Sequence, residues 1–338
     1  MLALWGIAAW HRLRAVEQAI VGSDSLGPYL QAKAALLGHL PRPPNPESGD
    51  ALWILAMPLV AWADSLSALF SARFVVGGVV APLAFAAAWH WADDDVAPAR
   101  RWAAALTAGL LMAFDPGLVD TLVSGARSYG APELVGLMTL GVALAMRGYT
   151  HGLAVAMVGL IWGAGHHPLA LGTGLGLLFL WPSKLGRGVR RWAVILGAAL
   201  ATPRLLRIGD MVMCGEGPVA CMKRVAQSNN VGAGPPLNQL QKALHDRFLV
   251  DWDVGVWVIL AGVLAVLLCR RRAHRRAGVF ALMTLAGLVM LGLSNGYLRS
   301  YHLRIVAVPL AVAAGLGAGS DLNRSVPCLS AIDWGRMV

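Results

Sequence analysis

The chain has 338 residues, of which 57% are hydrophobic and 14% charged, against roughly 25% charged in an ordinary soluble domain. That balance excludes a soluble globular protein and points to an all-α, polytopic membrane bundle. The formal net charge of +10 is no nucleic-acid signal, because the cations lie in short clusters between apolar runs, where membrane topology accounts for them.

In chain order, Met1–Trp10 is apolar but shorter than the about 20 residues needed to cross a hydrocarbon core. It reads as part of a first helix or as an interfacial stub; a cleaved leader is disfavoured by the missing basic start. Residues 23 to 47 form an acidic, turn-rich stretch holding Asp24, Tyr29 and Glu47, with a short helix over 28–38. The Pro41-Arg-Pro-Pro-Asn-Pro46 run cannot be helical. Ala51–Phe70 carries Pro58 and Asp64 and reads as a half-buried or re-entrant helix.

Spans are expected at 72–91, 102–114, 131–147, 152–164, 168–182 and 191–202, then at 254–269, 277–294 and 304–319. That makes about 9 to 10 hydrophobic helices in one membrane domain over 1–320, with 321–338 as a tail. Between them lies a polar outer loop over 203–253, long enough to suggest function. Its stretch Leu237–Phe248 is amphipathic and suited to lie on a bilayer or to cover a site. Cys214 and Cys221 share this loop; a bridge between them and two free thiols are equally compatible with the spacing.

Charge orients the stack. The short connections hold Arg100, Arg101, Arg147, Lys184, Arg187, Arg190, Arg191 and the Arg270–Arg276 cluster, which the positive-inside rule makes cytoplasmic. The alternate connections then share the extracytoplasmic side, with nearly every residue suited to chemistry: Asp24, Glu47, Asp115, Asp120, Arg127, Tyr129, His166, His167, Arg299, Tyr301 and Arg304. Each has a bland reading as well. Asp24 and Asp115 suit helix caps, the arginines suit snorkelling to headgroups, and neighbouring histidines on a helix point about 100° apart, so both cannot easily serve one ion.

These residues carry a resemblance. The order Asp24 with Tyr29, Gly38 and Pro41, Glu47, Ala72-Arg73-Phe74, Asp115-Pro116, Ala126-Arg127-Ser128-Tyr129-Gly130 and Gly165-His166-His167-Pro168-Leu169-Ala170-Leu171 resembles the GT-C superfamily of membrane glycosyltransferases. The nearest branch is that of protein O-mannosyltransferases and lipid A aminoarabinose transferases. The resemblance covers roughly 15–182, and Tyr297–Gly317 is reminiscent of a later family helix. Glu47 is followed by Ser48-Gly49 rather than an aromatic-Pro pair, and His166-His167 stands where the family has one basic residue.

The resemblance implies an inverting enzyme of a bacterial inner (plasma) membrane and cell envelope. It would move a sugar from a polyprenyl-phosphate donor to a lipid, glycan or protein acceptor outside the cytoplasm. Asp24, Glu47, Asp115 and Asp120 would be its catalytic acids, and Tyr29, Arg127, Tyr129, His166, His167, Arg299, Tyr301 and Arg304 would bind substrate. A divalent metal is a possible cofactor, with no residue assigned to it. Membrane lipids are expected partners and nucleic acid is not. A non-catalytic membrane scaffold descended from such an enzyme, and a small-molecule transporter, are the other classes; no internal repeat favours the transporter.

Overall fold

A computed structural model describes residues 1–16, 23–39, 57–58, 60–63, 65–92, 94–123, 130–179, 235–245, 254–269, 271–294, 298 and 300–319, with isolated positions between 186 and 197. Among these residues the structure is all-helical, without strands. Three helices are long and apolar enough to cross a membrane: Ser67–Trp91, Pro98–Val119 and Arg272–Ser294, of 25, 22 and 23 residues. At about 1.5 Å per residue each exceeds the ~30 Å of a hydrocarbon core.

The first helix, α1 (Leu2–Leu13), buries Leu4, Ala8, Ala9 and Arg12. It is thus packed into the bundle rather than left as an interfacial stub. Helix α2 (Ser23–Leu36) contains Gly27 and Pro28 and rests on α3 (Leu66–Gly77). Ser65 caps α3, its Oγ accepting from the Ala68 N–H at 3.4 Å. The expected re-entrant segment over 51–70 therefore ends sooner: the span opens at Ser67, five residues before the expected start at Ala72, because Ser65 supplies the cap there. One short turn at Gly78 joins α3 to α4 (Val80–Trp91). Gly78 is required by contact: a Cβ there would lie 2.9 Å from the Ala9 backbone nitrogen of α1.

Next come α5 (Pro98–Ala113), the short α6 (Pro116–Val123), α7 (Ala131–Met146) and α8 (Gly152–His166). The single span expected over 168–182 is instead a 3-10 helix, Pro168–Thr173, followed by α9 (Gly174–Phe179). Pro168 has no N–H to continue an α-helical ladder, and the Thr173 hydroxyl donates to the Ala170 carbonyl at 2.6 Å. Helices α10 (Pro236–His245), α11 (Val254–Leu268) and α12 (Arg272–Ser294) follow. A second 3-10 helix, Ser300–Val306, leads into α13 (Ala307–Ala318).

The helices approach closely because small residues line their seams, a device suited to a medium with no hydrophobic drive between helices. Gly141 and Gly152 bring α7 and α8 together backbone to backbone, Gly172 and Gly287 join the first 3-10 helix to α12, and Gly262 and Gly317 join α11 to α13. Between the seams, Phe74, Met112, Met138, Leu153, Phe280, Leu288 and Leu316 fill the core.

One end of this bundle is tied by arginines. The last carbonyls of α4, orphaned by the end of the helix, accept from two guanidinium groups. Arg101 Nε donates to Trp89 O at 2.8 Å, and Arg147 Nε donates to His90 O at 2.6 Å, with Arg147 Nη2 on Ala92 O. Asp94 pairs with both Arg101 and Arg147, and Asp95 with Arg271 at 3.0 Å. The hydrogen bond and charge of Arg147 hold the Asp94 carboxyl below the usual carboxylate range. A depressed acid stabilises the fold above its unfolded pKa, and that contribution fades as pH falls through the folded value.

Arg147→Ala, which strips the His90 and Ala92 carbonyls of their donor and leaves Asp94 with Arg101 alone, should lower stability by about 1–3 kcal/mol, read as a fall in Tm in detergent. Asp94→Asn should match the wild type in the slope of Tm against pH near neutrality and flatten that slope below about pH 4; unchanged acid sensitivity would remove Asp94 from the tie.

Candidate functional site at the histidine end

The opposite end of the bundle gathers polar side chains from five separate stretches. Arg12, in the last turn of α1, is 1% exposed. Its Nη2 donates to Met112 O at 2.9 Å, and its Nη1 to Ala8 O and Ala113 O at 3.2 and 3.4 Å. It thereby caps the C-terminus of α5 with a side chain from a helix a hundred residues away. The same charge lies within electrostatic reach of Asp115 and Glu133.

Both acids are held by helix starts. Asp115 Oδ1 accepts from the N–H groups of Gly117 and Leu118 at 2.8 and 3.3 Å, capping α6. Glu133 is the third residue of α7, in the first turn after Gly130, where the helix dipole favours a carboxylate. Glu133 Oε2 is buried and makes no hydrogen bond.

Gly130 also shapes the space for a histidine. Its φ is +89°, a conformation that side-chain-bearing residues rarely adopt, and a Cβ there would lie 2.9 Å from Nδ1 of His166. His166 ends α8 and is 1% exposed; neither ring nitrogen has a hydrogen-bond partner. The Arg73 charge of α3 lies within its electrostatic reach.

His167 departs from its neighbour. Its backbone is extended, with φ −146° and ψ 121°, and its Nδ1 accepts from the Leu169 N–H at 3.3 Å, capping the Pro168–Thr173 helix. An accepting Nδ1 carries no proton, which fixes the Nε2–H tautomer of a neutral ring. That ring sits 4.7 Å, centroid to centroid, from His302. His302 and Arg304, both buried, come from the Ser300–Val306 helix. The two adjacent histidines therefore diverge because His167 has left the helix, not through the 100° offset expected of helical neighbours.

Of the expected site residues, Asp115, His166, His167 and Arg304 come to this end. Asp120 lies on α6, which packs on the Ser300–Val306 helix that includes Tyr301. Asp24 falls in the first turn of α2, which opens at Ser23 rather than near Leu26. Tyr29 of α2 is half-buried and packs with Ala32, Val60 and Leu69 beside the start of α3. The nearby Phe70 and Phe74 of α3 pack with Leu13 and Val16 at the end of α1 and with Val119 of α6. Helix α2 thus stands at the histidine end too. Glu47, Arg127, Tyr129 and Arg299, with Cys214 and Cys221, lie outside the described residues.

Sequence reasoning passed over Arg12, Glu133 and His302 as site members. The Gly130-Ala-Pro-Glu133 spacing was the available signal for Glu133; for Arg12 it was a cation in the last turn of an apolar helix. The expected amphipathic stretch at 237 forms α10, packed on α12 and on the Ser300–Val306 helix. Gln239 Oε1 accepts from the Leu298 N–H at 3.4 Å, Ala243 is buried and Leu237 is exposed. Among the described residues no three His, Cys, Asp or Glu side chains stand close enough to hold a metal ion.

Comparisons with family models, curated proteins and solved structures find no match for this chain.

Arg12→Leu would remove the charge between Asp115 and Glu133 and orphan the α5 carbonyls. A loss of about 3–5 kcal/mol is expected from breaking such a buried group, measured as unfolding in detergent; Arg12→Lys should lose less, since the charge stays and only the bridging geometry goes.

Proposed function

We propose that this chain is a polytopic membrane glycosyltransferase with its arginine end cytoplasmic and its histidine end extracytoplasmic. In this reading it transfers a sugar from a polyprenyl-phosphate donor to a lipid, glycan or protein acceptor. The observation that carries the reading is the segregation of polar groups. Arg12, Asp115, Glu133, His166, His167, His302 and Arg304 meet at one end of an apolar bundle, opposite the arginines that cap α4. Ionisable groups embedded in such a bundle mark function by default.

Glycosyl transfer from a lipid phosphate asks for two things. The acceptor must lose a proton as the anomeric carbon gains positive charge, and a carboxylate within hydrogen-bond reach supplies that. The departing phosphate needs cations, for which guanidinium groups are suited by their paired donors. With Asp115 Oδ1 committed to the α6 cap, the proposal gives the base role to Asp24 or Asp120. Each lies on a helix at the histidine end. The phosphate role goes to Arg304, with His166 and Tyr301 beside the donor. Single displacement by the acceptor inverts the anomeric centre.

The test is transfer by purified protein in liposomes from a panel of radiolabelled polyprenyl-phosphate sugars. The wild type should label an acceptor from one donor. Asn at the base position, Asp24 or Asp120, should cost about 10²–10⁴-fold in rate while leaving Tm unchanged. Wild-type turnover in both Asn variants would take these carboxylates out of the mechanism, and no transfer from any donor would favour the scaffold.

A further inference from the structure

The arginine end holds a second cluster that neither the α4 caps nor the proposed reaction employs. Helix α12 begins with Arg272, and Arg275 and Arg276 follow one turn on. Spacings of three and four place all three on one helix face. Arg272 and Arg275 are exposed and Arg276 half-buried, whereas His274 between them turns inward, with Cys269 Sγ 4.0 Å from its Nδ1.

The acids resolved at this end are already used: Asp94 by Arg101 and Arg147, Asp95 by Arg271. No acid pairs with Arg272, Arg275 or Arg276 among the described residues. Folding alone does not favour this arrangement. Like charges three and four residues apart repel, and cations at a helix N-terminus oppose the macrodipole. An anion from outside the chain would relieve both.

Position selects the anion. The three arginines open the 23-residue candidate span Arg272–Ser294, so the cluster lies where a membrane helix meets the headgroup layer. Immediately before it in the chain, α11 leaves Leu264 and Leu268 exposed one turn apart, at 60% and 68%. Uncompensated guanidinium groups on the helix that follows exposed leucines in the chain fit a phosphate that carries acyl chains. We propose that Arg272, Arg275 and Arg276 bind the headgroup of an anionic phospholipid, whose acyl chain lies along Leu264 and Leu268. This rests on the membrane placement given above and is independent of glycosyl transfer.

Native mass spectrometry of the full chain, released from detergent after incubation with phosphatidylglycerol or phosphatidylcholine of the same acyl chains, tests it. Wild type should retain phosphatidylglycerol at least tenfold more than phosphatidylcholine. The triple variant R272Q/R275Q/R276Q should lose that preference, and the triple lysine variant should keep part of it. Equal retention of the two lipids by wild type, or a triple Gln variant that keeps the preference, would overturn the proposal. So would inorganic phosphate alone displacing the lipid at equimolar concentration, which would identify a free-anion site. If the triple variant fails to fold, Arg275→Gln alone should lower the preference severalfold, and an unchanged value would count against the site. Because no sugar turnover is read, a failure of this proposal leaves the glycosyl-transfer reading standing, and a failure of that reading leaves this one.

Discussion

A charge taken into an apolar bundle must bring its partners with it, and Arg12 shows how this fold meets that demand. Its guanidinium closes the carbonyl end of α5 within electrostatic reach of two carboxylates, Asp115, which caps the amide end of α6, and Glu133 in the first turn of α7. Three helix termini, each with unsatisfied backbone groups, are thereby brought to one place around one cation. The gathering of polar groups at the histidine end follows from that geometry. With α5 ending and α6 and α7 starting there, the last turn of α8, which packs along α7, brings His166 to the same end.

The two ends of the molecule solve the same problem with different chemistry. At the arginine end, Arg101 and Arg147 reach carbonyls of α4 from other helices, and exposed aspartates complete the pairing at the surface. At the histidine end the pairing is internal, and it leaves atoms such as Glu133 Oε2 and both ring nitrogens of His166 without hydrogen bonds. Buried polar atoms of this kind are costly, and the arginine end holds one as well, the indole Nε1 of Trp91.

Much of the helical plan could be read from the sequence, because apolar run length and Arg punctuation are one-dimensional signals. The seams at Gly141, Gly152, Gly262 and Gly287 could not, since a glycine in an apolar run says nothing of which backbone it will meet. The breaks at Pro168 and Ser300 were hidden for a related reason: a 3-10 helix and an α-helix bury similar residues, and only the lost amide of Pro168 hints at the change. For the site, Asp115 before Pro116 already read first as a cap, and the Gly117 and Leu118 amides on its Oδ1 bear that out. Arg12 and Glu133 escaped because their significance is a meeting across a hundred residues of chain.

The central claim is that the histidine end receives a lipid-linked sugar phosphate. It is tested most directly by photo-crosslinking a polyprenyl-phosphate sugar to the protein in liposomes and mapping the adducts by mass spectrometry. The account predicts adducts on peptides from α6, the start of α7 and the Ser300–Val306 helix, displaced by unlabelled donor but not by the free polyprenol. Adducts confined to the arginine end, or equal displacement by the polyprenol, would contradict it.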